Sequence, residues 1–370
     1  MLKMSDDFRI NSFNEWDPLK RVIVGRVDGA CVPQYDIMVK VNTYPKNRKF
    51  FADNGGRPFP KDAIEKAREE LENFVRVLES EGVKVDRPAI LDYSQKFLTP
   101  DFSANGMYAV MPRDILVTIG DQVIEAPMAW RSRFFEWRAY RRLATSYIMK
   151  GGKWVCAPKS QMSDELYDKE YPMVTLEDRH KLAEEGRFAT TEFEPCFDAA
   201  DMIRCGRDIF IQRSQVTNKV GIQWLKNYLG KDFRVHVIKF KDPNPMHIDA
   251  TFLPLRKGLI LANPDRPCQN LDIFERAGWQ VIYAPSPTLP DDWFLPMSSK
   301  WLSMNLLVLN SNTIIAEEHE EPTIKLLESL GFRVIKVPFR HVYSFGGSFH
   351  CVTCDVEREG ILEDYGFVMN

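Results

Sequence analysis

The sequence lacks an apolar run long enough to cross a bilayer, so a helical membrane-spanning protein is not expected. It lacks a surplus of either charge. The formal net charge is −3 and the pI about 6.1, which points away from nucleic acid and anionic membranes as partners. Cysteine is sparse and odd in number, with seven residues at 31, 156, 196, 205, 268, 351 and 354. In a chain of 370 residues that argues against a secreted disulfide scaffold and for a reducing compartment. The opening MLKMSDDFRINSFNEW has neither a signal-peptide apolar core nor the Arg-rich, acid-poor make-up of a mitochondrial presequence. A cytoplasmic location is therefore expected, with residues 1–10 as a flexible N-terminus. No low-complexity linker divides the chain, and a single domain over 1–370 is expected.

What is present begins with a repeated local pattern. A helix-like segment, a glycine and a β-prone run recur five times: AREELENFVRVLESEGVKVDRP, YRRLATSYIMKGGKWVCAP, IQWLKNYLGKDFRVHVI, NLDIFERAGWQVIYAP and EPTIKLLESLGFRVIKVP. Apolar residues fall at helical spacing before each glycine and crowd into a short strand-like run after it. Glycines 82, 151, 230, 278 and 331 suit the left-handed end of a helix. Another β-prone run precedes most helices: Arg21–Gly25, Asp114–Gly120, Asp208–Gln212, Gly258–Ala262 and Thr313–Ala316. Two α/β architectures fit this pattern. One is a doubly wound sheet with five unrelated connections. The other is five similar modules around an axis, which would bring distant residues together at a central channel.

The chemistry concentrates near the C-terminus. Cys351 stands in Gly346-Gly347-Ser348-Phe349-His350-Cys351, and Pro245-Met246-His247-Ile248-Asp249 lies about a hundred residues earlier. A thiol in a glycine-rich turn with a distant histidine is the pattern of nucleophilic cysteine catalysis. A buried, inert thiol is the bland alternative. Cys351 and Cys354 also resemble half a zinc site, but no second CxxC or His-x-x-x-His completes four ligands. A redox pair is disfavoured by the flanking Gly-Gly-Ser. The prolines around Asn244 hold the approach to His247 extended, which would set His247 and Asp249 on one face. Further acids lie among small and aromatic residues in Glu192–Asp201, including Asp198, and Asp114 stands at the start of an apolar strand. Several acids beside one histidine and one cysteine call for a cation, and guanidinium fits carboxylates bidentately.

The segments NEWDPL, MPRDIL, EAPMAWRSRFFEWRAYR, EPCFDAAD, FKDPNPMHIDATF, NPDRPC, MSSKWLSMN and GGSFHCVTCDV, in this order from about Asn11 to the C-terminus, closely resemble the L-arginine:glycine amidinotransferase family. That family includes inosamine-phosphate amidinotransferases and those of cyanobacterial toxin pathways. The resemblance implies a pentein, a five-bladed α/β propeller, in agreement with the five helix–Gly–strand modules. It implies Cys351 as a nucleophile that becomes amidino-cysteine, His247 as general acid/base and Asp198 as its polar partner. It makes Asp114 and Asp249 the holders of the donor guanidinium, Arg266 the partner of the donor carboxylate, and Ser298 and Ser299 further donor-binding residues.

The implied reaction carries the amidino group of L-arginine to an acceptor amine and releases L-ornithine with ping-pong kinetics, without metal, nucleotide or redox cofactor. Family members are often dimers. Two departures bear on the acceptor. Gly346-Gly347-Ser348 stands where glycine-using members have three glycines, and Phe252–Gly258 (FLPLRKG) also differs. Met246, Asn244 and the FLPLRKG segment are expected to shape the acceptor pocket. Glycine and a larger amine of a natural-product pathway are both open as acceptors. Hydrolysis by an arginine deiminase-like enzyme of the same fold is the rival reaction. A binding protein on this scaffold, as in ribosome anti-association factors, is the rival class.

Overall fold

A computed structural model describes residues 8–368. They form five three-stranded sheets of one design and one two-stranded ribbon. In each of the five, the middle strand runs antiparallel to an inner neighbour and parallel to an outer one. The second sheet shows how. Leu116–Ile119 turns through Gly120 into antiparallel Gln122–Glu125. Helix Trp137–Met149 crosses back, and Lys153–Cys156 joins in parallel. The third sheet repeats this with Met202–Cys205, Asp208–Ile211, helix Lys219–Leu229 and Arg234–Val237. The fourth uses Phe252–Arg256, Leu259–Ala262, helix Leu271–Arg276 and Gln280–Tyr283. The fifth uses Leu307–Asn310, Thr313–Glu317, helix Glu321–Ser329 and Arg333–Val337.

The first sheet draws on distant parts of the chain. Thr353–Arg358 pairs antiparallel with Leu19–Val24, and helix Lys61–Ser80 leads to the parallel strand Lys84–Asp86. These five modules make the pentein propeller. The repeated glycine has a backbone cause. Gly82, Gly151, Gly230, Gly278 and Gly331 all have φ between 65° and 88°. A Cβ at any of them would meet nothing within 4 Å. The left-handed conformation that ends each helix is therefore the constraint, not a lack of room.

Burial falls from the axis outward. The inner strands Leu116–Ile119 and Met202–Cys205 are wholly buried, whereas the outer strands Lys153–Cys156 and Gln280–Tyr283 are half-buried or exposed. Charge, not only apolar packing, ties the inner strands together. Arg204 donates to Glu15 at 2.6 Å, to Asp355 at 2.6 Å and to the Thr118 carbonyl at 2.9 Å. Asp355 also accepts from Arg113 at 2.5 Å and from Arg358 at 2.6 Å, and Arg358 donates to the Val308 carbonyl at 2.9 Å. All five charged groups are buried. Such groups are tolerable inside a protein only when paired.

The structure departs from the sequence reading in several places. Asp114 does not begin a strand: Pro112–Ile115 forms a helical turn and the strand starts at Leu116. The first-turn position suits Pro112, which has no N–H to lose there. The middle strand Gln122–Glu125 was not expected, although Gly120-Asp121 between two β-prone runs carries a hairpin signal. Of the expected flexible segment 1–10, residues 1–7 lie outside the described residues. Phe8 packs on Tyr147 at 4.9 Å and Ile10 is buried. Among the described residues, no helix is long and apolar enough to cross a membrane.

Candidate active site

Five residues occupy equivalent places in the propeller. Asp114, Asp198, Asp249, Asn305 and Cys351 each stand two to four residues before the inner strand of their sheet. The repeat thus collects one side chain per blade at one end of the axis. Cys351 is buried, and its Sγ donates to Oδ2 of Asp249 at 3.4 Å. Its backbone N–H donates to Oδ1 of Asn305 at 3.0 Å. Gly347 allows the tight turn before it. A Cβ there would sit 2.5 Å from Met111 Sδ and 2.6 Å from Cys351 Cβ.

His247 is not in extended backbone. Its φ is +58°, and the 3₁₀ turn Ile248–Ala250 follows directly. A non-glycine residue rarely adopts this conformation unless its surroundings impose it. Asp201 does so by accepting the His247 backbone N–H at 2.8 Å, while also receiving Ser214 Oγ and Gln212 Nε2. His247 and Asp249 nonetheless face one site, as the sequence reading required, but through a turn instead of strand alternation.

Both ring nitrogens of His247 face carboxylates. Nε2 lies 3.0 Å from Asp198 and Nδ1 lies 3.6 Å from Asp114. Burial opposes the charged ring, but Asp114, Asp198 and Asp201 outweigh it and raise the pKa to about 10. The resting ring is imidazolium. Cys351 is also raised: burial first, then the Asp249 and Asp114 charges, push its thiol well above the ordinary range. The resting sulfur is a thiol.

His350, beside the cysteine, is engaged at both nitrogens. Nδ1 meets Asp249 at 2.8 Å and Nε2 meets Glu15 at 3.2 Å. Burial opposes ionisation of Asp249, yet its bond to His350, the His350 charge and the His247 charge hold it below the usual carboxylate range. Asp114 is paired with Arg133 at 2.5 Å, and Arg133 is in turn held by Glu136. Trp130 Nε1 donates to Asp198 at 3.0 Å. One oxygen remains unpartnered on each carboxylate: Oδ1 of Asp114, Oδ1 of Asp198 and Oδ1 of Asp249 are buried without a hydrogen bond.

The site opens into a cavity of about 660 Å³, lined among others by Cys351, His247, Asp249, Arg266, Ser298 and Ser299. Arg266 bonds Ser299 Oγ at 3.1 Å and pairs with Asp242 at 3.2 Å. Ser298 Oγ is buried and unpartnered. Asn244 and Met246 line the same cavity. Asp114 and Asp198 stand behind its wall, in contact with His247. The FLPLRKG segment is displaced from its expected role. Phe252–Arg256 is a buried inner strand, and no residue from 252 to 258 lines the cavity. Cys354 lies within the closing strand, and all seven cysteines are free.

Sequence reasoning missed Asn305, Glu15, Arg133 and the engagement of His350. Asn305 and Glu15 fall inside the quoted MSSKWLSMN and NEWDPL segments, and Arg133 inside EAPMAWRSRFFEWRAYR. Polar residues among tryptophans and prolines were the available signal.

No protein-family model matches the chain. Over 354 residues it is 57% identical to the mitochondrial glycine amidinotransferase of Gallus gallus, covering 96% of this chain and 84% of that protein. It is 47% identical to the L-arginine:L-lysine amidinotransferase of Pseudomonas savastanoi pv. phaseolicola, covering 96% of each. Among solved structures it is similar to SxtG, an amidinotransferase from Microseira wollei in the saxitoxin biosynthetic pathway. That match has a TM-score of 0.86, 42% identity and coverage of 96% of this chain and 99% of that one.

Proposed function

The chain belongs to the amidinotransferase family, and from that premise we propose that it transfers the amidino group of L-arginine to an acceptor amine through Cys351. The carrying observation is a buried thiol beside Asp249, whose Oδ1 has no partner at the cavity, with the His247 imidazolium held by Asp114 and Asp198 behind it. Uncompensated acceptors of this kind are costly unless a cation completes them. A guanidinium supplies planar, charged donors.

The chemistry follows from the resting protonation states. The positive charge of arginine offsets the carboxylates that keep Cys351 protonated, and the thiol proton leaves to solvent as the substrate binds. The carboxylates set the guanidinium carbon against sulfur, an orientation effect. Sulfur attacks that carbon. His247 gives its proton to the departing nitrogen, the C–N bond breaks, and ornithine leaves with a neutral δ-amine. The amidino group remains on sulfur as an isothiouronium cation. A neutral acceptor amine then attacks the same carbon, His247 takes its proton, and the C–S bond breaks to release thiolate and the new guanidine. The thiolate regains a proton as product departs. Arg266, Ser298 and Ser299 are read as holding the donor's α-carboxylate and amine.

On this reading the whole chain works as one domain, because each blade supplies one residue to the site. The unpaired thiols suit a reducing compartment such as the cytosol. Incubation with arginine followed by acid quench should add the mass of one amidino group to the Cys351 peptide. Cys351→Ser should show no adduct and no turnover. Citrulline accumulating from arginine alone would instead mark a hydrolase.

A further inference from the structure

The catalytic cavity is lined by further cationic side chains besides Arg266. Arg179, on helix Leu176–Glu184, lines it together with Arg48, Thr43, Asn42 and Asn244. Arg179 is only 2% exposed. Its Nη1 donates to the Val41 carbonyl at 2.9 Å and to Oδ1 of Asn244 at 2.8 Å, and its guanidinium lies over Tyr171 at 5.0 Å. These partners are all uncharged. Among the described residues, neither Arg179 nor Arg48 makes an ion pair with a carboxylate. Arg179 Nε is buried without a hydrogen-bond partner, as is Oγ1 of neighbouring Thr43.

Buried arginines are normally paired with an acid, because a desolvated guanidinium is costly alone. The rest of this protein obeys that rule: Arg113, Arg133, Arg204 and Arg358 each meet a carboxylate. Arg266, which lines the same cavity, has Asp242 at 3.2 Å. Arg179 is the exception, and it faces a space that substrates must enter. Burial first, eased slightly by Tyr171 and then aggravated by the Arg48 charge, disfavours its charged form. An anion would reverse that penalty and occupy the vacant donor.

We propose that Arg179 and Arg48 form an anion subsite that receives an acidic group of the acceptor, so that the acceptor is a primary amine carrying a carboxylate or phosphate. The subsite rests on the amidino-transfer reading and adds to it the class of the second substrate. Asn244 gives it a link to the reaction centre. Its side chain holds Arg179 Nη1, and it lies three residues before His247 on the same segment. The donor does not need this subsite, since Arg266, Ser298 and Ser299 are positioned for its amino-acid end.

The test separates the two half-reactions. Single-turnover release of ornithine from arginine reads the first. Decay of the isolated amidino-enzyme with added amines reads the second. The probes are glycine, β-alanine, L-lysine and 2-aminoethyl phosphate as acidic amines, with ethanolamine as the neutral control. The carboxylate and phosphate arms identify the preferred anion, and the chain lengths read its distance from sulfur. In the wild type, the best acidic amine should react at least about tenfold more efficiently than ethanolamine, in line with a charge-assisted contact. Arg179→Met should lose most of that advantage, with a second half-reaction at least about tenfold more impaired than the first. Arg48→Ala, an exposed change, should reduce the same advantage without altering the fold, and Arg179→Lys should retain part of it. The proposal is overturned if both variants slow ornithine release as much as acceptor use, or if ethanolamine and the acidic amines lose equally. Absence of any ornithine burst in the wild type would count against amidino transfer itself.

Discussion

Oδ2 of Asp249 accepts from Nδ1 of His350 at 2.8 Å, while Nε2 of the same ring meets Glu15 at 3.2 Å. The imidazole is thus clamped between two buried acids, an arrangement that favours its doubly protonated form. Burial and the Arg113 charge oppose this, but the Asp249 and Glu15 contacts prevail and raise its pKa. His350 acts as a fixed cation that lets Asp249 stay ionised. Asp249 in turn has one oxygen left for a substrate.

His350→Asn is therefore expected to weaken arginine binding. Loss of a charged hydrogen bond at a buried carboxylate costs about 1.5–3 kcal/mol, or roughly tenfold to a hundredfold in arginine KM. The pH profile carries a second signature. Asp249 is depressed in the folded protein, so its charge is present above its pKa and lost as pH falls through it. Without the imidazolium the acidic limb of kcat/KM should move upward. A fall in kcat alone, with KM and the acidic limb unmoved, would contradict this role.

His247 should set the alkaline limb. Its pKa of about 10 keeps the leaving-group proton in place at neutral pH, and activity should fall as pH rises through that value. Asp198→Asn removes one of the charges that raise it, so the limb should shift toward the ordinary histidine value of about 6.5. The same shift has a stability sign. A histidine raised in the folded state stabilises fully below about 6.5, and that contribution disappears as pH climbs through the folded value. Thermal unfolding between neutral pH and pH 10 measures it.

Gly347→Ala should damage the site with little effect on the propeller. The added Cβ would press on Met111 Sδ at 2.5 Å and Cys351 Cβ at 2.6 Å. Displacing a nucleophile by about 1 Å costs on the order of a hundredfold in kcat. Near-unchanged far-ultraviolet circular dichroism together with that loss is the expected pair of results.

Arg204→Met probes the axis. It strips Glu15 and Asp355 of a shared cation while leaving both buried. Breaking such a pair from one side costs about 3–5 kcal/mol. Urea unfolding should register a loss of that order, larger than for any exposed pair such as Lys49–Asp53.

Sequence and structure agree where a local rule was strong. The five helix-ending glycines reflect a backbone requirement that side chains seldom satisfy, so they stood out along the chain. Cys351 and His247 were legible because a thiol in a glycine turn and a histidine beside prolines are chemically unusual. Asn305 was not, since its task is to accept one backbone N–H from a residue 46 positions away. Arg133 and Glu15 were hidden for a related reason: a buried charge reads like a surface charge until its partners are placed. The φ of +58° at His247 was also illegible, because Asp201 imposes it from another blade.

The propeller is sealed by Thr353–Arg358 lying against Leu19–Val24, and Cys351 stands two residues before that seam. Cys351 consequently follows Asp114, Asp198, His247 and Asp249 along the chain and is made after all of them. The pairing that joins the two ends of the chain is therefore also what fixes the thiol among the other side chains of the site.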